Sequence, residues 1–356
     1  MENITHIKNT AIELVKQKKY SECYNIIKQV KQHYKNTDGL SEYIRLYYWL
    51  MSLLIYEQPE MIPSYFIHMM NDERRVIAFK SAMERVIKPE SNVMEIGAGT
   101  GIMSCLASRI QQNKKTIYCY EVNPVLADVV RNVVKDNQCN VKVIEKMSNC
   151  GNSDEIEGRK DVLICETIGN YLLAEDMIKI VNDAFDRYLV PDATVIPSRG
   201  RLYGYLGYSE TNYQLVKSKE DSLCGIDISY FKNIISETHI ESKSFLGNIS
   251  SYNDTIKLSD SKLLFDFNFC KKNLLEDSTT VKFKVKRNGI LTGLVLHFEL
   301  DTIDNVIIKS GVENGSWEDN ILGNSSQFFI PVYEGQEIKL KVSYTNGKNI
   351  NVILNP

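Results

Sequence analysis

The stretch Asn92–Ile102, "NVMEIGAGTGI", sets the reading of the fold. A short apolar run, NVMEI, passes directly into three glycines, and a helical segment, IMSCLASRI, follows. Gly97, Gly99 and Gly101 suit a tight turn in which the backbone comes close to a ligand. A dinucleotide fingerprint, G-x-G-x-x-G, would place its third glycine at position 102, which is Ile102. Outward from this stretch, short apolar runs recur as TIYCYE (116–121), NVKVIE (140–145), DVLICE (161–166) and ATVIPS (193–198). Helical segments such as NPVLADVVRNVVKDN and DMIKIVNDAFDRYL lie between them. Strand–helix alternation of this kind predicts a parallel, doubly wound α/β sheet, a Rossmann-like domain over residues 61–197.

The pattern changes on both flanks. Apolar residues at three- and four-residue intervals (Ile4, Ile7, Ala11, Val15, then Tyr20, Tyr24, Ile27, Val30) predict helices in a 1–60 extension. A second amphipathic segment, LSEYIRLYYWLMSLLIYEQ, makes this extension similar to a single tetratricopeptide-like hairpin, read as a cap on the next domain. Beyond Pro197 period-2 segments dominate: TTVKFKVKRNG, LVLHFELD, VIIKSG, FFIPVY and EIKLKVSY predict an all-β sandwich or barrel over 198–356.

Composition narrows the function classes. With 43% hydrophobic residues in 356, the chain can bury cores for two or three domains. A net charge of -3 with interspersed signs argues against a nucleic-acid reader, which would carry a basic face. Eight scattered cysteines without a CxxC pair argue against zinc and against a disulfide framework. The polar start and the lack of a long apolar run predict a cytoplasmic protein with no membrane partner and no metal.

Three further residues define a nucleotide-like site. Glu95 stands two positions before Gly97, and Glu121 ends the second strand, where a carboxylate can accept both ribose hydroxyls. Arg75, in MMNDERRVIAF, is placed to clamp a carboxylate bidentately, with its neighbour Arg74 as the alternative. The G-x-G-x-G spacing with Glu95 is typical of class I methyltransferases, so S-adenosyl-L-methionine, which has no pyrophosphate, is the expected cofactor. Further on, CETIGNYLLAED (165–176) carries Glu166 and, nine positions later, Glu175. By spacing alone these acids could equally cap a loop and the helix after it.

The segments MMNDERRVIAFKSAM, VMEIGAGTGI, YEVNP, VIEKMSN, ICETIGNYLLAED and YLVPDATVIPSRGRLYGYL together resemble the protein arginine methyltransferases. The resemblance covers roughly residues 60–345 and is nearest the branch with tandem modules that forms monomethylarginine. It implies a helical lead-in, a Rossmann-like domain and a β-barrel, with a dimerisation insert near 209–235 and hence a homodimer. It further implies that Glu166 and Glu175 grip a guanidinium, with Glu175 the acceptor of the released proton. By the same resemblance Met147 and Ser148 border the adenine, while Met69 and Asp72 border the acceptor. The family's Thr-His-Trp loop, whose histidine would pair with Asp72, is altered: Gly323 and Asn324 stand at the positions expected for its histidine and tryptophan, and Trp317 lies nearby out of register. The tyrosine-rich entry motif is blurred into Tyr56, Tyr65 and Phe66, and His297 reads as a packed strand residue.

The expected activity is therefore S-adenosylmethionine-dependent N-methylation of a guanidinium by in-line displacement, on free arginine, a small guanidino compound or arginine in a peptide or protein. The alternatives are a small-molecule O- or C-methyltransferase and a catalytically inactive cofactor-binding scaffold.

Overall fold

The structure is a computed structural model. It describes residues 2–17, 19–36, 46, 50, 65–169, 171–210, 213, 222–230, 247–248, 255–312, 315–322 and 329–355. Strands β1 (Val93–Ile96), β2 (Ile117–Tyr120), β3 (Val141–Ile144), β4 (Lys160–Cys165) and β5 (Leu189–Ile196) form a sheet in the order β3-β2-β1-β4-β5. Every pairing is parallel. All four residues of β1 are buried, as befits a central strand covered on both faces, and the one charged residue among them, Glu95, is paired with the Ser104 hydroxyl. The helix Ile102–Ile110 follows the glycine turn, and Pro124–Asp136 starts with proline in its first turn. There the Asn123 side chain accepts the N–H groups of Val125 and Leu126 at 2.9 and 3.2 Å, satisfying two otherwise orphaned donors.

After β5 the chain enters an antiparallel unit. The strand β6 (Arg199–Ser209) pairs along its length with Gly293–Asp301, at the centre of a seven-stranded sheet. A three-stranded sheet of Asp277–Lys284, Glu337–Thr345 and Asn349–Asn355 lies opposite. Along Glu337–Thr345 every second residue is buried, matching the alternation read in the sequence. One core cluster runs from Met94 and Leu163 through Leu172 and Met177 to Leu202, Phe298 and Leu340. The two units thus share their apolar interior, and the loop between β4 and the helix Met177–Arg187 is pinned between them.

The helices Glu2–Lys16 and Tyr20–Asn36 bury Ala11, Val15, Cys23 and Ile27 together with Val125 of the helix Pro124–Asp136, and Lys28 reaches Asp128 at 3.3 Å. The second amphipathic segment lies outside the described residues except for Leu46 and Leu50, both buried in the same cluster. His297 is half-buried, stacked on Tyr203 and hydrogen-bonded to Ser261 Oγ at 2.9 Å; burial lowers its pKa to about 4. Of the 209–235 insert, the described part includes the hairpin Ser222–Leu223/Ile226–Asp227; most of the remainder, like Tyr56, lies outside the described residues. Among the described residues no helix is long and apolar enough to cross a membrane, and no acidic, histidine or cysteine cluster has metal-holding geometry.

Candidate active site

The strand order concentrates the site at the carboxyl ends of the strands, beside the point where chain direction across the sheet reverses between β1 and β4. Gly97, Gly99 and Gly101 all have left-handed φ values of 81°, 53° and 81°. A Cβ added to them would come within 2.9 Å of Thr167, Phe66 and Val130 respectively, so both conformation and space demand glycine. Glu121, just past β2, takes the Gly99 N–H on one oxygen at 2.7 Å and the Asn123 N–H on the other at 2.8 Å. Its carboxylate is thereby fixed at the rim of the turn.

Two cavities meet here. The larger, about 610 Å³, is bounded by Phe66, Met69, Arg75, Glu95, the glycine turn, Glu121, Glu166 and Glu175, with Ser316 and Trp317 from the antiparallel unit. The second, about 500 Å³, shares Gly97, Glu121, Val122, Thr167 and Glu175 with it and continues past Met147 and Ser148. Met147 is exposed and Ser148 buried, so one is free to cover a flat ring while the other shapes the wall. S-adenosylmethionine fits this arrangement: a nucleoside would span Glu121 to Met147, and an amino-acid end would reach Arg75. The side chain of Arg75 is buried, with 6% of it exposed, and its Nε has no partner among the described residues, a donor left for an incoming anion. Arg74, by contrast, is mostly exposed.

The acceptor side is built around two carboxylates. Glu166, at the end of β4, is ion-paired with Arg75 Nη1, while Arg75 Nη2 donates to the Met69 carbonyl at 3.2 Å. Glu175 opens into both cavities and makes no hydrogen bond to any described residue. Asp72 caps the helix Glu73–Val86 by accepting the Arg75 N–H at 3.2 Å. Its other oxygen accepts both the backbone N–H of Ser316 at 2.8 Å and the Ser316 hydroxyl at 2.9 Å. Trp317 is buried, donates its indole N–H to the Ile168 carbonyl at 2.8 Å and packs edge-on against Phe298. Gly323 and Asn324 lie outside the described residues. The side-chain partner of Asp72 among the described residues beyond its own helix is Ser316, which sequence reasoning did not single out, and the neighbouring Trp317 lines the same cavity.

Among the described residues the site is an acidic pocket with one deep cation, Arg75. Burial pushes Glu95 up to about 8, with the charges of Glu166 and Glu121 adding and Ser104 opposing. Burial also raises Glu166, to about 7, with Arg75 opposing and Glu175 and Asp72 adding. Burial raises Glu175 and Glu121 as well. Raised carboxylate pKa values mean that the folded chain keeps protons the unfolded chain has released. Their contribution to stability is complete below the ordinary value of 4.5 and is lost as pH rises through about 7 and then about 8. His297 acts in the opposite sense, but its lowered pKa exerts that effect only up to its ordinary 6.5. The cofactor-free protein is therefore expected to lose about 1–2 kcal/mol between pH ~6.5 and ~7.5 by denaturant titration. A stability that is flat or rising across this window would remove the buried-acid account.

The parallel sheet, the glycine turn after β1 and the named relatives together indicate a class I S-adenosylmethionine-dependent methyltransferase. Within that class the chain is similar to the arginine methyltransferases, as its relatives indicate. A family model described as ribosomal protein L11 methyltransferase (PrmA) matches residues 80–199, the cofactor-binding half. An "Arginine N(omega)-methyltransferase" of Streptomyces achromogenes subsp. streptozoticus is 24% identical over 290 residues, covering 80% of this chain and 77% of that protein. "Protein arginine N-methyltransferase 1.6" of Arabidopsis thaliana is 28% identical over 239 residues, 65% of this chain but only 33% of the plant protein. A solved structure of the Trypanosoma brucei PRMT1 enzyme-prozyme heterotetrameric complex with AdoHcy shares the fold with a TM-score of 0.66 at 20% identity. It covers 81% of this chain and 91% of its own.

Proposed function

We propose that this enzyme methylates a terminal guanidino nitrogen of arginine, presented as the free amino acid. The observation that carries the reading is the convergence of Glu166 and Glu175 on one cavity beside the cofactor cleft. When bound, S-adenosylmethionine supplies an electrophilic methyl group. A guanidinium is planar, always charged and a poor nucleophile. Carboxylates on two of its edges accept charge-assisted hydrogen bonds, hold its plane, and draw positive charge away from the nitrogen that reacts. Glu166 is held in place by Arg75, so it serves as the fixed half of the grip. Glu175, open to the cavity and raised by burial, takes the proton that the nitrogen must lose on methylation. Free arginine rather than a peptide is supported by the Streptomyces relative, which aligns over most of both chains and is named for arginine itself, whereas the plant protein aligns over a third of its length.

The test is mass spectrometry of reactions offered free arginine, an arginine-rich peptide, or neither. Methylation of free arginine at the higher kcat/KM is expected. Methylation of the peptide alone would move the reading to a peptide or protein modifier. No methyl transfer to either, with S-adenosylhomocysteine still bound, would favour another acceptor chemistry or a cofactor-binding scaffold.

A further inference from the structure

The Glu166–Glu175 loop is conformationally costly. Leu172 and Asp176 adopt left-handed φ values of 69° and 60°, and neither is glycine. A leucine there is a marked outlier, and such residues persist only where surrounding contacts over-determine them. The antiparallel unit supplies those contacts at both ends of the loop. At the entry, Trp317 holds the Ile168 carbonyl. At the exit, the turn between Glu337–Thr345 and Asn349–Asn355 comes down on the start of the helix Met177–Arg187. Gly347 is so close that an added Cβ would lie 3.5 Å from Lys179 and 3.6 Å from Ile178. From the same turn Lys348 Nζ donates to Asp176 Oδ2 at 2.7 Å, and Lys179 approaches the other oxygen at 3.4 Å.

We propose that Lys348 is a positioning residue for the acceptor site: by gripping Asp176 it fixes the backbone from which Glu175 projects. Asp176 is joined to Glu175 by one peptide bond and has no side-chain capping bond to its helix, so the lysine clasp takes the place of a cap. Burial alone would raise the Asp176 pKa, but the hydrogen bond and charge of Lys348, with Lys179 adding, hold it below its ordinary value, and the clasp stays ionic. Lys348 and Asp176 are 172 positions apart, so the pair ties the far end of the antiparallel unit to the catalytic loop. The inference rests on Glu175 acting in the acceptor site, and the experiment separates the two ideas.

In the full chain, Lys348→Met and Asp176→Asn are each expected to lower kcat about tenfold, while S-adenosylhomocysteine affinity by calorimetry stays within about twofold. The double variant should be no worse than the poorer single one, because both remove the same clasp. Lys348→Arg should recover most of the parental kcat. The pair is about one-third exposed, so it adds little to stability and the fold is expected to survive. A Lys348→Met enzyme with parental kcat, or an Arg variant no better than Met, overturns the proposal, provided Glu175→Gln has lost turnover. If Glu175→Gln itself keeps parental turnover, the assignment of Glu175 fails first and takes the clasp's purpose with it.

Discussion

Glu175→Gln is expected to lower kcat by about 10³-fold, within the range for losing a positioned acid–base group, while S-adenosylhomocysteine affinity stays within about twofold. The substitution keeps side-chain volume and removes only the charge. Because Glu175 has no hydrogen-bond partner among the described residues, no neighbour is orphaned and the fold should be untouched. The companion Glu166→Gln should lose comparable turnover but behave differently toward cofactor, since it releases the buried Arg75 guanidinium from its only carboxylate partner among the described residues. That contrast is the diagnostic. Two acids that merely cap a loop would give equal, small effects on kcat and a shared loss of stability. Single-turnover rates with saturating cofactor, beside calorimetric affinities, decide it: a Glu175→Gln enzyme within tenfold of the parental rate would exclude proton acceptance by this residue.

The cofactor half of the site was legible because its parts are local. Glu95, the glycines and the helix Ile102–Ile110 are one continuous strand–turn–helix unit, and Glu121 and Ser148 follow the ends of the next two strands. Parallel strand order then brings these ends together without any long-range coincidence. Glu166 and Glu175 were visible for the same reason. The rest of the acceptor half is assembled across the chain, and sequence spacing carries no trace of those contacts. Ser316 meets Asp72 across 244 positions and Trp317 meets Ile168 across 149. Gly323 and Asn324, read as the altered positions of a Thr-His-Trp loop, lie outside the described residues, whereas Ser316, which meets Asp72, carried no motif of its own. Lys348 was invisible for a further reason: a lysine in a hairpin turn is an ordinary solvated residue until the turn is seen to land on Asp176.

Arg75→Ala should produce the largest change in cofactor binding, and its consequences run through both halves of the site. Among the described residues Arg75 is the buried cation lining the cavity with Glu95, Glu166 and Glu175, and its Nε is a buried donor with no partner there. Deleting it removes the group proposed to pair with the amino-acid carboxylate of the cofactor. A charged hydrogen bond of this kind contributes on the order of 1.5–3 kcal/mol, so the S-adenosylhomocysteine Kd should rise about 10–150-fold. It also leaves Glu166 without the charge that opposes burial, so the Glu166 pKa should climb above its present value of about 7. At neutral pH the carboxylate then carries a proton and cannot grip a guanidinium as an anion. Turnover should therefore fall even when cofactor is saturating, and it should recover in part as pH is raised. Loss of cofactor affinity alone, with a parental kcat at saturation and an unshifted pH profile, would separate Arg75 from the acceptor grip. Arg74→Ala is the internal control: its side chain is 60% exposed, and affinity and pH profile should match the parent. An Arg74→Ala protein that loses cofactor as severely as Arg75→Ala would reverse the assignment of the two neighbouring arginines.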